Sequence, residues 1–172
     1  MFQSLEEIFF CVSNPQVRQQ LLNVSWKQSQ VTDCSHYVVL VYKDKMDEAH
    51  IQKYIDKIAS VRGVALSTLD GFKNAMIGDL VKGPRAAVIE WWAQRQTYIA
   101  MGFLMETAAL LQIDSCPMEG LESLAYDKIL QLEGTGWKTI AAVALGYRHM
   151  EDVLQKAAKV RFERQDHIEF VD

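Results

Sequence analysis

The spacing of hydrophobic positions changes several times along the chain, and each change marks an element. Ile8 to Val12 is apolar and β-prone, and Ser13-Asn14-Pro15 then supplies a turn and a helix start with Pro15 at the first helical position. Tyr37 to Tyr42 is an unbroken run of mostly β-branched and aromatic residues, the pattern of a strand covered on both faces and placed centrally in a sheet. Thr139 to Leu145 has the same character, ends at Gly146 and follows the turn-forming Gly134-Thr135-Gly136. A weaker strand is expected over Ile168 to Val171.

Helical periodicity predicts helices over Glu48 to Val61, Leu69 to Lys82, Pro84 to Leu111 and Glu151 to Ala158. In the third of these, Trp91, Trp92, Tyr98, Met101, Phe103, Leu104, Met105, Leu110 and Leu111 surround almost the whole circumference, more than a surface helix needs for its single stripe. Such a helix is expected to be buried by the sheet, by another chain, or by both. Few strands among dominant helices indicate an α+β or α/β sandwich, and no repeat, low-complexity tract or flexible linker interrupts it. One domain spanning residues 1–172 is the expectation.

Composition narrows the chemistry. A hydrophobic fraction of 49% with 23% charged residues excludes a disordered polyelectrolyte and a disulfide miniprotein. The net charge of −4, without a basic cluster, argues against a nucleic-acid surface. Cys11, Cys34 and Cys116 form no Cys-x-x-Cys pair, and no histidine has a partner at helical spacing, so neither a disulfide framework nor a metal site is expected. Residues 1–10 do not resemble a secretory signal, and the apolar stretch from Ile99 to Leu111 is interrupted by Glu106. A cytoplasmic protein without membrane or nucleic-acid partners is expected.

Gly134-Thr135-Gly136-Trp137-Lys138-Thr139 superficially suggests a phosphate loop, but a strand follows where a helix is required, so a plain turn is favoured. No Gly-x-Ser-x-Gly occurs, and Cys34-Ser35-His36 places adjacent side chains on opposite sides of an extended segment, which gives hydrolase chemistry no support. Asp114 to Gly120 reads as a short strand ending in a Pro-bounded loop whose Glu119-Gly120 can present backbone donors to a ligand. Lys159-Val160-Arg161 puts two cations on one side of an extended segment, suited to gripping one phosphate. On the residues alone the plainer readings are favoured, a surface loop for the first segment and a solvated charge pair for the second.

Taken in order, Val12-Ser13-Asn14-Pro15, the stretch Trp26 to Leu40, the long helix, Pro117-Met118-Glu119-Gly120, Gly146-Tyr147 and Lys159-Val160-Arg161-Phe162 resemble the nitroreductase family of FMN-dependent oxidoreductases. The resemblance runs from about Phe9 to the carboxyl terminus. It implies a nitroreductase-like α/β sandwich with a small mixed sheet, a long buried central helix and a C-terminal strand extension. It further implies an intertwined homodimer with FMN at the interface, reduced by NADH or NADPH and oxidised by a nitroaromatic or quinone.

By the same resemblance, Pro117, Met118, Glu119 and Gly120 lie beside the redox edge of the flavin. Lys159 and Arg161 hold its phosphate, and Lys27 and Gln30 meet its pyrimidine edge, Gln30 standing where some relatives carry Lys. Phe72, in Gly71-Phe72-Lys73, is implied to shape the acceptor pocket. No protein acid or base is required, because the cofactor carries the electrons. The family's opening helix with Arg-x-Ser, and its Gln-Pro-Trp segment, have no counterpart here, and Leu5-Glu6-Glu7 stands where the latter would fall. The domain is therefore expected to be N-terminally shortened, and a non-catalytic or weakly flavin-binding homodimer of the same fold is the alternative reading.

Overall fold

A computed structural model describes residues 7–171. Most of the opening segment, including Leu5-Glu6, lies outside the described residues. Strand β1 (Glu7–Val12) leads to helix α1 (Pro15–Asn23), whose start is fixed as the sequence predicts. The Asn14 side chain accepts hydrogen bonds from the main-chain N–H groups of Gln16 (2.8 Å) and Val17 (3.2 Å), and Pro15 occupies the first turn. A tight turn and the short helix α2 (Gln30–Asp33) follow, then strand β2 (His36–Lys43), helices α3 (Glu48–Arg62) and α4 (Asp70–Leu80), and the long α5 (Ile89–Leu110). Strand β3 (Asp114–Met118), helix α6 (Ser123–Ile129) and strand β4 (Trp137–Gly146) follow, and a 3-10 turn (Arg164–Asp166) comes last.

The sheet order is β1-β2-β4-β3, and every pairing is antiparallel. The mixed sheet implied by the resemblance is thus corrected: among the described residues, no strand runs parallel to its neighbour. β2 is central and buried on both faces, from Tyr37 to Tyr42. Tyr37, Val39 and Val41 join Leu21, Val31, Met118, Tyr126, Ala142 and Ala144 in one core, under α1, α2 and α6. On the opposite face, where alternate side chains point, α5 crosses the sheet. A second, smaller core of Ile51, Ile55, Ile58, Met76, Ile77 and Leu80 holds α3 to α4, with Ile89 and Trp92 packed against it.

The sheet covers only part of α5. Within one chain Ala93, Thr97 and Ala108 are buried, whereas Trp91 is 64% exposed, Phe103 62% and Leu110 76%. Only one stripe of the circumference is covered by this chain. Pro84 to Val88 forms a separate 3-10 turn before the helix begins. Glu90 secures that end: its carboxylate accepts from the Tyr42 hydroxyl (2.7 Å) and from Lys138 Nζ (3.0 Å). The Tyr42 bond, then Lys138, holds the Glu90 carboxyl below its ordinary 4.5. A lowered folded value means that Glu90 stabilises the fold above the ordinary carboxylate range, and that this contribution disappears as pH falls through the lowered value. Accordingly, the melting-temperature gap between wild type and Glu90→Gln should be full near neutrality and close as the pH falls through the lowered carboxyl value. A gap independent of pH would show that the charge of Glu90 is not what matters.

Two further expectations fail after Gly146. Glu151 to Ala158 forms no helix but a series of tight turns, closed by bonds such as Asp152 N to His149 O (3.0 Å) and Gln155 N to Asp152 O (3.2 Å). Val153 and Leu154 are 85% and 71% exposed, so no apolar face is buried, and a helix this short is unstable without packing. Ile168 to Val171 is not a strand either, because no sheet edge lies beside it to complete the ladder. Among the described residues, no helix is long and apolar enough to cross a membrane, and no His, Cys, Asp or Glu cluster could hold a metal ion.

Candidate functional site

The edge strand β3 carries the candidate site at both ends. Its Pro117 is tolerated because an edge strand has one side without ladder bonds. The Met118 side chain is buried in the main core, so only its main chain can face a ligand. Beyond it, the chain leaves the sheet at Glu119 and Gly120. The Glu119 carboxylate accepts a short hydrogen bond from the Tyr98 hydroxyl on α5. Burial, and then this bond, push the Tyr98 phenol up to about 12, so the tyrosine stays a neutral donor at physiological pH.

Gly120 packs against the turn between α1 and α2. Trp26 and Lys27 in that turn both have positive φ, 52° and 56°, a conformation that non-glycine residues rarely adopt. Gln28 donates from Nε2 to the Gly120 carbonyl (2.9 Å) and to the Ser25 carbonyl (3.1 Å). Glu122 N donates to Val24 O (2.9 Å), so the two loops are stitched together. A Cβ at Gly120 would stand 2.7 Å from both Gln28 Nε2 and Trp26 Cε3, which explains glycine there. The structure therefore brings the turn carrying Lys27 against Gly120. Gln30 follows as the first residue of α2, exposed.

At the other end of β3, Asp114 accepts from Arg148 Nε (2.9 Å) and from the Arg148 main chain (3.0 Å), with a further short bond from the second guanidinium nitrogen. The Arg148 bonds come first among the causes that hold the Asp114 carboxyl below its usual value, and Lys159 contributes last. Here lies a cleft of about 920 Å³, lined among others by Gly102, Glu106, Asp114, Arg148, Lys159 and Arg161. Among the described residues, neither Lys159 nor Arg161 is in an ion pair.

Glu119 does not line the cleft that holds Lys159 and Arg161, but α5 connects the two places. Tyr98, Gly102, Met105, Glu106 and Ala109 recur at three- and four-residue steps, which places them on one stripe of the helix. Tyr98, whose hydroxyl holds Glu119, lies about 6 Å of helix rise before Gly102, which lines the cleft. Phe72 is not brought to this stripe: it lies on α4, which packs against α3 and the 3-10 turn before α5.

Sequence reasoning missed Trp26, Gln28 and Tyr98. Tyr98 was absorbed into the apolar circumference of α5, although a tyrosine among aliphatic residues signals a hydroxyl in need of a partner. One exclusion also needs amending, since Ser35 Oγ and His36 Nδ1 do lie 2.8 Å apart. The pair is exposed at the start of β2, and no carboxylate orients the imidazole among the described hydrogen bonds.

The sequence model of the nitroreductase family matches residues 3–147. An assigned NAD(P)H nitroreductase of Staphylococcus epidermidis is 31% identical over 172 residues, covering 95% of this chain and 76% of the relative. YfkO of Bacillus subtilis, also assigned as an NAD(P)H nitroreductase, is 30% identical over 150 residues, covering 81% and 68% respectively. Among solved structures, an assigned nitroreductase from Exiguobacterium sibiricum in complex with FMN has the same fold, with a TM-score of 0.78 at 16% identity over 96% of this chain and 77% of that one. The protein belongs to the nitroreductase family.

Proposed function

We propose that this protein is an FMN-dependent NAD(P)H oxidoreductase acting as a cytoplasmic homodimer on nitroaromatic or quinone acceptors. The observation that carries this reading is the single stripe of α5 that joins the Glu119–Gly120 loop to the cationic cleft of Lys159 and Arg161. The residues fit the cofactor: two cations that form no ion pair among the described residues suit a dianionic phosphate, and the Glu119–Gly120 main chain, packed on one side by Trp26 and Gln28, is held in a fixed position from which it could meet a flat ring. FMN, when bound, supplies the redox chemistry, receiving two electrons from NAD(P)H and passing them to the acceptor. In balance, a quinone plus NAD(P)H and one proton gives a hydroquinone plus NAD(P)⁺.

The chain's own residues would bind and orient. Lys159 and Arg161 would grip the phosphate, and Lys27 and Gln30 would donate to the pyrimidine edge, where negative charge accumulates on reduction. Glu119, held toward α5 by Tyr98, would leave its main chain and that of Gly120 to face the ring, with Pro117 and the Met118 main chain lining the approach. Phe72 is retained only as a residue bordering the acceptor pocket of an assembled dimer. The apolar surface of α5 at Trp91, Phe103 and Leu110 supports a second copy covering it.

The purified protein should be yellow, or become so with FMN, and NADPH or NADH should bleach its flavin band without oxygen and a quinone restore it. Colourless protein that ignores FMN would instead support the non-catalytic reading of the same fold.

A further inference from the structure

Beneath the two stitched loops lies a line of buried hydroxyls that the proposed function does not use. Ser25, Tyr37 and Tyr126 are each 0% exposed. Tyr37 Oη lies 2.8 Å from Tyr126 Oη, Tyr126 Oη lies 2.5 Å from Ser25 Oγ, and Ser25 Oγ lies 2.6 Å from the Leu21 carbonyl. The direction of the line follows from its end. A carbonyl only accepts, so the Ser25 hydroxyl donates to Leu21; Ser25 Oγ then accepts from Tyr126, which accepts from Tyr37. Every hydroxyl proton has one acceptor, and burial pushes both phenols up, so the line stays neutral.

Its three members come from the pieces whose relative placement defines the loops. Ser25 immediately precedes Trp26 and Lys27, the two residues with positive φ. Tyr126 lies on α6, the element into which Glu119 and Gly120 lead, and Tyr37 belongs to the central strand β2. Apolar side chains would fill this space equally well, but packing tolerates sliding, whereas hydrogen bonds fix distance and direction. Two successive left-handed residues need such an anchor.

We propose that the Tyr37–Tyr126–Ser25 line is a positioning device that sets the spacing between the Lys27 turn and the Glu119–Gly120 loop, and thereby tunes how the site holds a flavin. This inference rests on the flavin reading of the site.

The test is Tyr126→Phe, which breaks the line at its centre while keeping the ring. Amide exchange at Ser25, Gln28 and Glu122 should quicken about tenfold, with β2 and β4 still protected, and the dissociation constant for FMN should rise about tenfold. The bound flavin's absorption band should shift, a signature that loss of stability alone would not produce. Tyr37→Phe leaves the Tyr126–Ser25 bond intact and should move the same readouts by a smaller factor; it carries the test if Tyr126→Phe does not fold. Wild-type protein that takes up no FMN overturns the flavin reading. Normal uptake by wild type, with loop exchange, affinity and spectrum unchanged in the variants, overturns the positioning role alone.

Discussion

Replacing Lys159 and Arg161 together by alanine is expected to weaken FMN binding by about a hundredfold or more. A hydrogen bond to a charged group contributes about 1.5–3 kcal/mol, so losing two removes at least about 3 kcal/mol, and each 1.4 kcal/mol is tenfold. The geometry supports the upper part of this expectation for three reasons. The two side chains line one cleft, and their alternation in an extended segment turns them to the same side. The carboxylate of Asp114 is engaged first by Arg148 and forms no ion pair with either of them, Lys159 acting on it only weakly. Glu106, which lines the same cleft, would repel an incoming dianion once the two cations are gone.

The control is riboflavin, which has the ring without the phosphate. Wild type should prefer FMN to riboflavin by a large factor, and the double variant should bind both nearly alike. Salt gives a second check, since exposed charges are screened within about 10 Å at 0.1 M. FMN affinity should fall with salt in wild type and barely respond in the variant. Titration curves that are superimposable for the two proteins would remove the phosphate from this cleft.

What the sequence reveals here is what local physics dictates. The uninterrupted run Tyr37 to Tyr42 can only be a strand covered on both sides, and it lies at the centre of the sheet. Asn14-Pro15 and Gly134-Thr135-Gly136 carry their conformations in their residue types; both glycines have φ of 76°. The same local reading fails after Gly146, where amphipathic spacing in Glu151 to Ala158 meets no surface to pack on. It fails for α6 as well, a seven-residue helix made stable by Tyr126 in the core rather than by its own propensity. Within the site, Glu119, Gly120 and Lys27 are legible as residues but not as neighbours. Their juxtaposition depends on contacts between positions about a hundred residues apart, such as Gln28 with Gly120 and Ser25 with Tyr126, and no periodicity encodes those.

Arg18 is the sharpest case of a residue whose importance spacing cannot show, and Arg18→Met should destabilise the protein by about 3 kcal/mol. In the sequence it is one more cation on a polar helix. In the structure it is 8% exposed, and its guanidinium donates to three main-chain carbonyls: Nε to Val12 (2.7 Å), and the terminal nitrogens to Cys34 (2.7 Å) and Ser35 (3.1 Å). Val12 ends β1, while Cys34 and Ser35 lead into β2, so one side chain pins the exit of one strand to the start of its neighbour. No carboxylate pairs with it among the described residues; the carbonyl dipoles alone stabilise the buried charge. Methionine matches the aliphatic stem in length but offers no donor, leaving those carbonyls short of partners at about 1–3 kcal/mol apiece. Relief of the guanidinium's own desolvation offsets part of that loss, which is why the expected total is near the cost of one or two carbonyls rather than three. For a chain of this size, the melting temperature should fall by about 6–12 °C. Arg18→Lys, which retains the charge but not the three-way fork, should recover only part of the difference. A fall of less than about 2 °C for Arg18→Met would mean that water satisfies these carbonyls, and that the β1–β2 junction is held by the ladder alone.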